Sequence, residues 1–557
     1  MAERAQEFDR LLESYYRAWF RFHPEAAVDA GVPGYADRLT PYDDDEIGAL
    51  QALHEKLLAG LEERDCDGLD PDRCLDARLV HGAALIEHHT LLEQDWRRRD
   101  PARFLPVNAI YQLTVRPVDD LAAALSARLA AIPAYLRGAR GHLSQMPELI
   151  PPLWLETAVA EARAGAQYLH DLPSHPRVAH AFPNPVRVAG LADQAAQALT
   201  EFARFLEQEI GPQARGTCAC GREHFERLLA YRHFLDVDAE ELHAFGRRLY
   251  EETLRDLKDA ARSLGGEDVA ALTARIRADH PSAAELLPAY RAQMEAARRF
   301  VAEHDLVTVP ARQALKVVET PLFMRHRIPF AAYLEPAPND AEQCGYYYVT
   351  PSASEDLLGE HDHAGLAHTC VHEAWPGHHL QFVTAHLNPA ARTLPRLLNP
   401  SATLYEGWAL YCEQLMHEQG FLNRPEQRFI LLRDRLWRAL RVLLDVELHT
   451  GGLSVEQAAA RLQQALGFPR AQAFAELAWY TRAPTVPMGY ATGWALISAA
   501  RARLRLATPD FDLKAFHDRL LCGGSIALAL VLQRHFGPEL WHSARAMVFA
   551  DHVEVEP

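Results

Sequence analysis

The segment His372-Glu373-Ala374-Trp375-Pro376-Gly377-His378-His379 holds the residue types that a hydrolytic metal site needs. In a His-Glu-x-x-His pattern, two histidines one helical turn apart face the same way and hold one zinc. The intervening glutamate orients and deprotonates a bound water. Here Pro376 stands where the second histidine belongs. Proline withholds a backbone donor and disturbs the preceding turn, and Gly377 tolerates unusual torsions, so a bulge or kink in the helix is expected. That distortion would swing His378 into the place of the second ligand. On a straight helix His379, two turns beyond His372, shares its face instead. The proline–glycine pair favours His378, with His379 as the alternative.

A catalytic zinc normally takes a third protein ligand and keeps one position open. The stretch Leu404-Tyr-Glu-Gly-Trp-Ala-Leu-Tyr-Cys-Glu413 places Glu406 and Glu413 on one helical face that is otherwise apolar. Buried carboxylates are costly unless paired or metal-bound. Glu406 is therefore the expected third ligand and Glu413 a partner that orients a histidine; pairing of both with arginines is the competing reading. His368 and His372, four apart with His361, Asp362 and His363 upstream, form a rival ligand set. For His361 and His363 a polar loop ahead of the helix is favoured, and His368 is placed along the cleft. Tyr490 has two readings: a donor to the oxyanion of an attacked carbonyl, or a buried tyrosine satisfied locally. Arg482 is a candidate for a substrate carboxylate, with a surface ion pair favoured over it. Ser525, after two glycines, reads as a helix cap and lacks the surroundings of a nucleophilic serine.

These residues need a scaffold, and the texture of the chain is helical. Ala, Leu, Arg and Glu dominate, all strong helix formers. Asp238 with Glu241 makes a capping box before Leu242, Phe245 and Leu249, which share a face. Ser282 with Glu285 makes another, ahead of a helix through Tyr290 and Met294 that should fray near His304. Between about Val307 and Thr350 the texture changes: Pro310, Pro321, Pro329, Pro336 and Pro338 alternate with Leu315–Val318, Ala331–Leu334 and Tyr346–Val349. β-branched and aromatic runs between turn formers predict short strands, with Tyr346, Tyr347 and Tyr348 alternating between core and cleft. From Asp362 onward the chain is helical again. The expected fold is mainly α, a multi-helix metallopeptidase-like architecture with a small β-sheet beside the active-site helix. The break in texture divides it into an N-terminal helical region, 1–305, and a metal-binding catalytic region, 306–557.

The bulk properties exclude several classes. The chain has 557 residues and a formal net charge of −18, without a basic block. Such a surface repels nucleic-acid backbones and anionic membranes. Its eight cysteines are mostly scattered, which is no disulfide framework; Cys218 and Cys220 lack the second pair of a zinc knuckle and read as a turn. Charged residues in the first thirty positions argue against a signal peptide. The most apolar stretch, Leu520–Leu532, is broken by glycines and shorter than the roughly 20 residues that span a bilayer. The cytoplasm is the expected compartment; the oligomeric state is left open.

Two stretches, Val371-His-Glu-Ala-Trp-Pro-Gly-His-His-Leu-Gln381 and Tyr405-Glu-Gly-Trp-Ala-Leu-Tyr411, closely resemble the bacterial "domain of unknown function 885" family. The resemblance extends through Ala18-Trp19, His23-Pro24, Glu303–Pro310, Gly345–Val349 and Gly524-Ser525, and so spans nearly the whole chain. That family is grouped with gluzincin-type metallopeptidases. The resemblance implies a mostly helical fold with zinc held by His372, His378 and Glu406, and Glu373 as general base. In one place the chain departs from the family pattern, an aromatic pair, Pro-Gly-Gln and then a tyrosine: Pro484 and Tyr490 match, but Thr485 and Val486 replace the Gly-Gln pair. The function expected is zinc-dependent hydrolysis of amide bonds in peptides or peptide-like substrates, with Glu373 and Tyr490 as catalytic groups. The alternatives are a non-catalytic helical binding protein that retains a metal cleft, and a metal-dependent amidohydrolase of a specialised metabolite.

Overall fold

In the computed structural model the described residues are 2–62, 68–266, 268–321, 325, 328, 330–351 and 355–550; Cys66 and Pro329 lie outside them. The chain forms two compact units, one comprising 1–218 with 321–327 and 337–339, the other 219–320 with 328–336 and 340–557. The division falls after Cys218, whereas the change of texture places it near residue 305. The reason is packing: the helix Ala239–Ser263 lies along Pro425–Thr450 and so belongs with the C-terminal half of the chain. Texture records where helices give way to strands, which is not where the core divides.

The first unit is helical. Leu121–Leu143, Pro152–Asp171 and Pro185–Phe205 enclose a core that includes Leu125, Ile132, Leu169, Leu199 and Phe202, none of them exposed to solvent. Their starts are legible in the sequence: Asp120 and Asn184 cap with their side chains, a contact worth about 1 kcal/mol each.

The second unit carries the candidate site. Its leading helix α1 (Ala239–Ser263) opens with the expected capping box between Asp238 and Glu241 and buries Leu242, Phe245 and Leu249. Helix α2 (Leu286–Glu303) ends at His304 as expected but starts late, because Ser282 and Glu285 hydrogen-bond to each other in the turn ahead of it. Three strands follow, β1 (Ala314–Glu319), β2 (Ala331–Leu334) and β3 (Cys344–Val349). They form one sheet in the order β1-β3-β2, with β1 parallel and β2 antiparallel to β3. In β3, Gly345, Tyr347 and Val349 are buried and their neighbours half-buried, the alternation the sequence predicts.

Asp362 accepts a hydrogen bond from the Gly365 amide and so caps α3 (His363–Glu373). Then come α4 (His378–Leu387), α5 (Ala402–Glu418), α6 (Pro425–Thr450) and α7 (Gly489–Ala507). Ser525 is not a helix cap: the next helix starts at Leu528 behind Ala527, and the Ser525 hydroxyl instead accepts from the Gln381 amide of α4 at 2.8 Å. Among the described residues no helix is long and apolar enough to cross a membrane.

Helices α5 and α7 approach very closely. A Cβ on Gly493 would stand 2.0 Å from the Thr403 carbonyl oxygen, and one on Gly407 would stand 2.5 Å from the Gly493 Cα. Gly493→Ala is therefore expected to destabilise the protein by about 1–3 kcal/mol or more through overpacking, read as a lowered midpoint in thermal or urea unfolding.

Candidate metal centre

The segment bearing the histidines is not a bulged helix. Helix α3 ends at Glu373, Ala374 leaves helical torsions, the Trp375–Pro376 peptide is cis, and α4 begins at His378. The expected distortion is thus a break between two helices. It is tight because Gly377 has no side chain: a Cβ there would lie 1.8 Å from the His372 carbonyl oxygen and 2.4 Å from that of Val371. The fully buried Trp408 indole donates to the Pro376 carbonyl at 2.8 Å, tying the break to α5.

This path separates the two neighbouring histidines. His378 Nε2 lies 3.3 Å from Glu406 Oε2, and His372 Nε2 lies 3.7 Å from the same oxygen. The two imidazoles stand edge to face, 4.8 Å between centroids, and His378 is flanked by the rings of Phe382 and Tyr405. His379 turns to the sheet. Its Nδ1 meets the Tyr333 hydroxyl at 3.0 Å and its Nε2 the Gln313 side-chain oxygen at 3.1 Å. Burial lowers its pKa to about 4, and with both ring nitrogens engaged it has no lone pair left for a ligand.

Glu406 and Glu413 lie on one face of α5 as the spacing predicts, and they face histidines rather than arginines. His372 Nδ1 meets Glu413 Oε1 at 2.8 Å, and His368 Nδ1 lies 3.4 Å from Glu413 Oε2. His368 supports Glu413 from behind, its Nε2 on the Gln427 carbonyl at 2.8 Å. The rival ligand set does not assemble. His361 is buried, not in a polar loop, with Nδ1 on the Tyr290 hydroxyl at 2.9 Å, while His363 is exposed.

The electrostatics follow from burial. At His372 desolvation opposes a charged ring, but the carboxylates of Glu406 and Glu413 outweigh it and raise the pKa to about 10. Burial would raise the carboxyls of Glu406 and Glu413, yet the histidines beside them hold both well below the usual range. Glu406 Oε2 is buried without a hydrogen-bond partner, with the Nε2 atoms of His378 and His372 at 3.3 and 3.7 Å. Ligand atoms about 2.0–2.1 Å from a tetrahedral zinc stand about 3.3 Å apart. One donor atom each from His372, His378 and Glu406 lies within 4.8 Å of the others. The donor set thus fits a cation such as zinc. Glu373, next to His372, has no hydrogen-bond or ion-pair partner among the described residues.

Tyr490, in the first turn of α7, reaches Glu406 with its hydroxyl, and burial raises its pKa far above the ordinary value. The segment before it explains the departure at Thr485. That residue has a φ of 68°, a conformation in which glycine is unstrained and a β-branched residue is an outlier. Threonine is held there by its polar atoms. Its hydroxyl meets buried His233 Nε2 at 3.0 Å, and His233 Nδ1 meets Ser401. The carboxyl group of Asp445 on α6 accepts from the Thr485 and Met488 amides at 3.2 and 3.1 Å. Neither His233 nor Asp445 has a local sequence signal, since each is recognisable only by partners far along the chain.

The chain belongs to the family described as bacterial proteins of unknown function (DUF885), whose model matches residues 24–534. A proposed lipoprotein of unknown function from Shewanella oneidensis is 23% identical, with 94% of this chain and 99% of that one covered and a TM-score of 0.78. A proposed lipoprotein from Colwellia psychrerythraea is 17% identical, with 98% and 99% covered and a TM-score of 0.80. At such identities the likeness is one of fold alone. An M32 carboxypeptidase from Deinococcus radiodurans R1 aligns over 97% of this chain and 99% of its own at 13% identity, with a TM-score of 0.42, too low to speak of a shared fold. No curated protein matches the chain.

Burial raises the Asp445 pKa to about 8, against the pull of the two amides. The folded protein thus keeps a proton that the unfolded chain releases near pH 4. Stability from this group is fully present below about pH 4 and is lost as pH rises through about 8. In urea unfolding, the stability difference between the native protein and Asp445→Asn is expected to shrink by at least about 1 kcal/mol from pH 5 to pH 8. A difference independent of pH would mean that Asp445 is already ionised.

Proposed function

We propose that the protein is a zinc-dependent hydrolase of the metallopeptidase type, cleaving amide bonds in peptides or peptide-like molecules. The observation that carries this reading is the convergence of donor atoms from His372, His378 and Glu406, with Glu406 Oε2 buried and unpartnered. These three residues would hold the ion. When bound, zinc supplies Lewis acidity and makes water a nucleophile near neutral pH.

The other steps belong to the chain's own groups. Glu373, with a carboxylate free of other bonds, takes the proton of the attacking water and delivers it to the leaving nitrogen. Glu413 accepts a hydrogen bond from His372 Nδ1–H, which fixes the tautomer and would leave the Nε2 lone pair available to hold the ion. The Tyr490 hydroxyl donates to the substrate oxygen as negative charge develops on it. A silent binding cleft gains no support from Thr485 and Val486, because Thr485 serves the architecture of the loop before α7.

The substrate is proposed to be peptidic and not a nucleic acid or a membrane surface, which a net charge of −18 opposes. The compartment proposed is the cytoplasm, on eight cysteines that are mostly scattered singly along the chain and form no disulfide framework. Two relatives of known structure are described as lipoproteins; cell fractionation decides whether this chain shares their description.

Glu373→Gln is expected to lower turnover of a peptide mixture by roughly 10²–10⁴-fold, followed by mass spectrometry, with zinc content unchanged. Retained turnover would rule out Glu373 as the base.

A further inference from the structure

Helix α6 carries several arginines, and three of them have polar side-chain partners. Arg433 pairs with Asp434 at 2.9 Å. Arg435 donates to the Gln414 side-chain oxygen. Arg441 donates to the Tyr480 hydroxyl at 2.8 Å and to Glu476 at 3.1 Å, with its Nη1 left unbonded. Arg438 differs. Its Nε and Nη1 are buried without a hydrogen-bond partner, and the side chain has no ion pair among the described residues. Its charge rests only against aromatic faces, 4.4 Å from the Trp437 ring centroid and 6.0 Å from that of Tyr490.

Arg438 is half-buried; buried donors left unmatched are costly, and a ligand that matches them recovers the loss. Its location identifies the ligand. Tyr490 presents its ring to Arg438 and its hydroxyl to Glu406, so a cationic fork lies one tyrosine side chain from the proposed ligand set. That separation is of the order of one residue of extended chain, about 3.3–3.6 Å per residue and a side chain's reach. The planar fork of arginine matches a carboxylate in bidentate fashion. Arg482, the arginine singled out by sequence, already has a partner.

We propose that Arg438 binds the free α-carboxylate of a peptide's C-terminal residue, so that the centre removes single residues from the C-terminus. The cleavage rests on the hydrolase reading; the carboxylate site does not. Water oxygen bonds to the carbonyl carbon of the penultimate residue and the C–N bond breaks. One water proton passes to the departing amine, leaving a free amino acid and a shortened acid.

The test uses the full chain loaded with zinc and N-acetyl tripeptides carrying either a free C-terminus or a C-terminal amide. Free acids are expected to lose single residues at least about 100-fold faster than amides. In Arg438→Ala that preference should collapse, mainly through KM, and Arg438→Lys should restore part of it; Arg438→Gln replaces the alanine variant if that fails to fold. A second readout needs no turnover: calorimetric binding of the same peptides to Glu373→Gln, with and without Arg438→Ala. Acids should bind at least about tenfold tighter than amides only where Arg438 is present. Equal cleavage or equal binding of acids and amides overturns the assignment and leaves the hydrolase reading standing. Acid-selective, Arg438-dependent binding without cleavage by the native protein upholds the carboxylate site and overturns hydrolysis. Absence of both binding and cleavage overturns both.

Discussion

Two carboxylates on the buried face of one helix, Glu406 and Glu413, impose the constraint to which the second unit is built. Withdrawing them from water is tolerable only if positive charge or strong donors surround them. The chain meets that need with three histidines drawn from two helices. His368 and His372 come from α3, and His378 from the first turn of α4. Glu413 holds His372 through Oε1 with His368 beside its Oε2, while Glu406 Oε2 lies between His372 and His378 without a hydrogen bond. The convergence of two histidine nitrogens on that oxygen marks the place where a cation would complete the arrangement.

The supporting contacts can be followed outward from that oxygen. Gly377 lets the chain reverse against the end of α3, and Trp408 holds the reversal by the Pro376 carbonyl. Gly407 and Gly493 let α7 press against α5, which brings Tyr490 to Glu406. Asp445 and His233 clamp the loop that precedes Tyr490. The four residues of Tyr405-Glu-Gly-Trp408 thus supply, in order, a ring beside His378, the buried carboxylate, the close helix approach and the tie to the proline.

Much of this is legible in the sequence because it depends on short-range spacing. The His-Glu segment, the seven-residue interval from Glu406 to Glu413, the capping box at Asp238 and the alternation in β3 are all local patterns. The preference for His378 over His379 follows from Pro376 and Gly377, although the distortion is a break rather than a bulge. Proline and glycine announce that a helix is disturbed; the close fit to the Val371 and His372 carbonyls decides how. Other features are beyond local reading. Arg438 looks like any helical arginine until its neighbours are seen to be paired and it is not. The polar context of His361 predicts a place in solvent, but Tyr290, far along the chain, buries it. The unit boundary at Cys218 depends on which helices pack together, and composition does not record that.

Metal content measured on the native chain beside His378→Ala and His379→Ala bears most directly on the centre, since the two residues are adjacent and only one faces Glu406. After purification without chelator and supply of zinc, about one zinc per chain is expected in the native protein and in His379→Ala, with the metal lost in His378→Ala. Zinc retained in His378→Ala, or none bound by the native chain, would contradict the arrangement of His372, His378 and Glu406 as a metal centre.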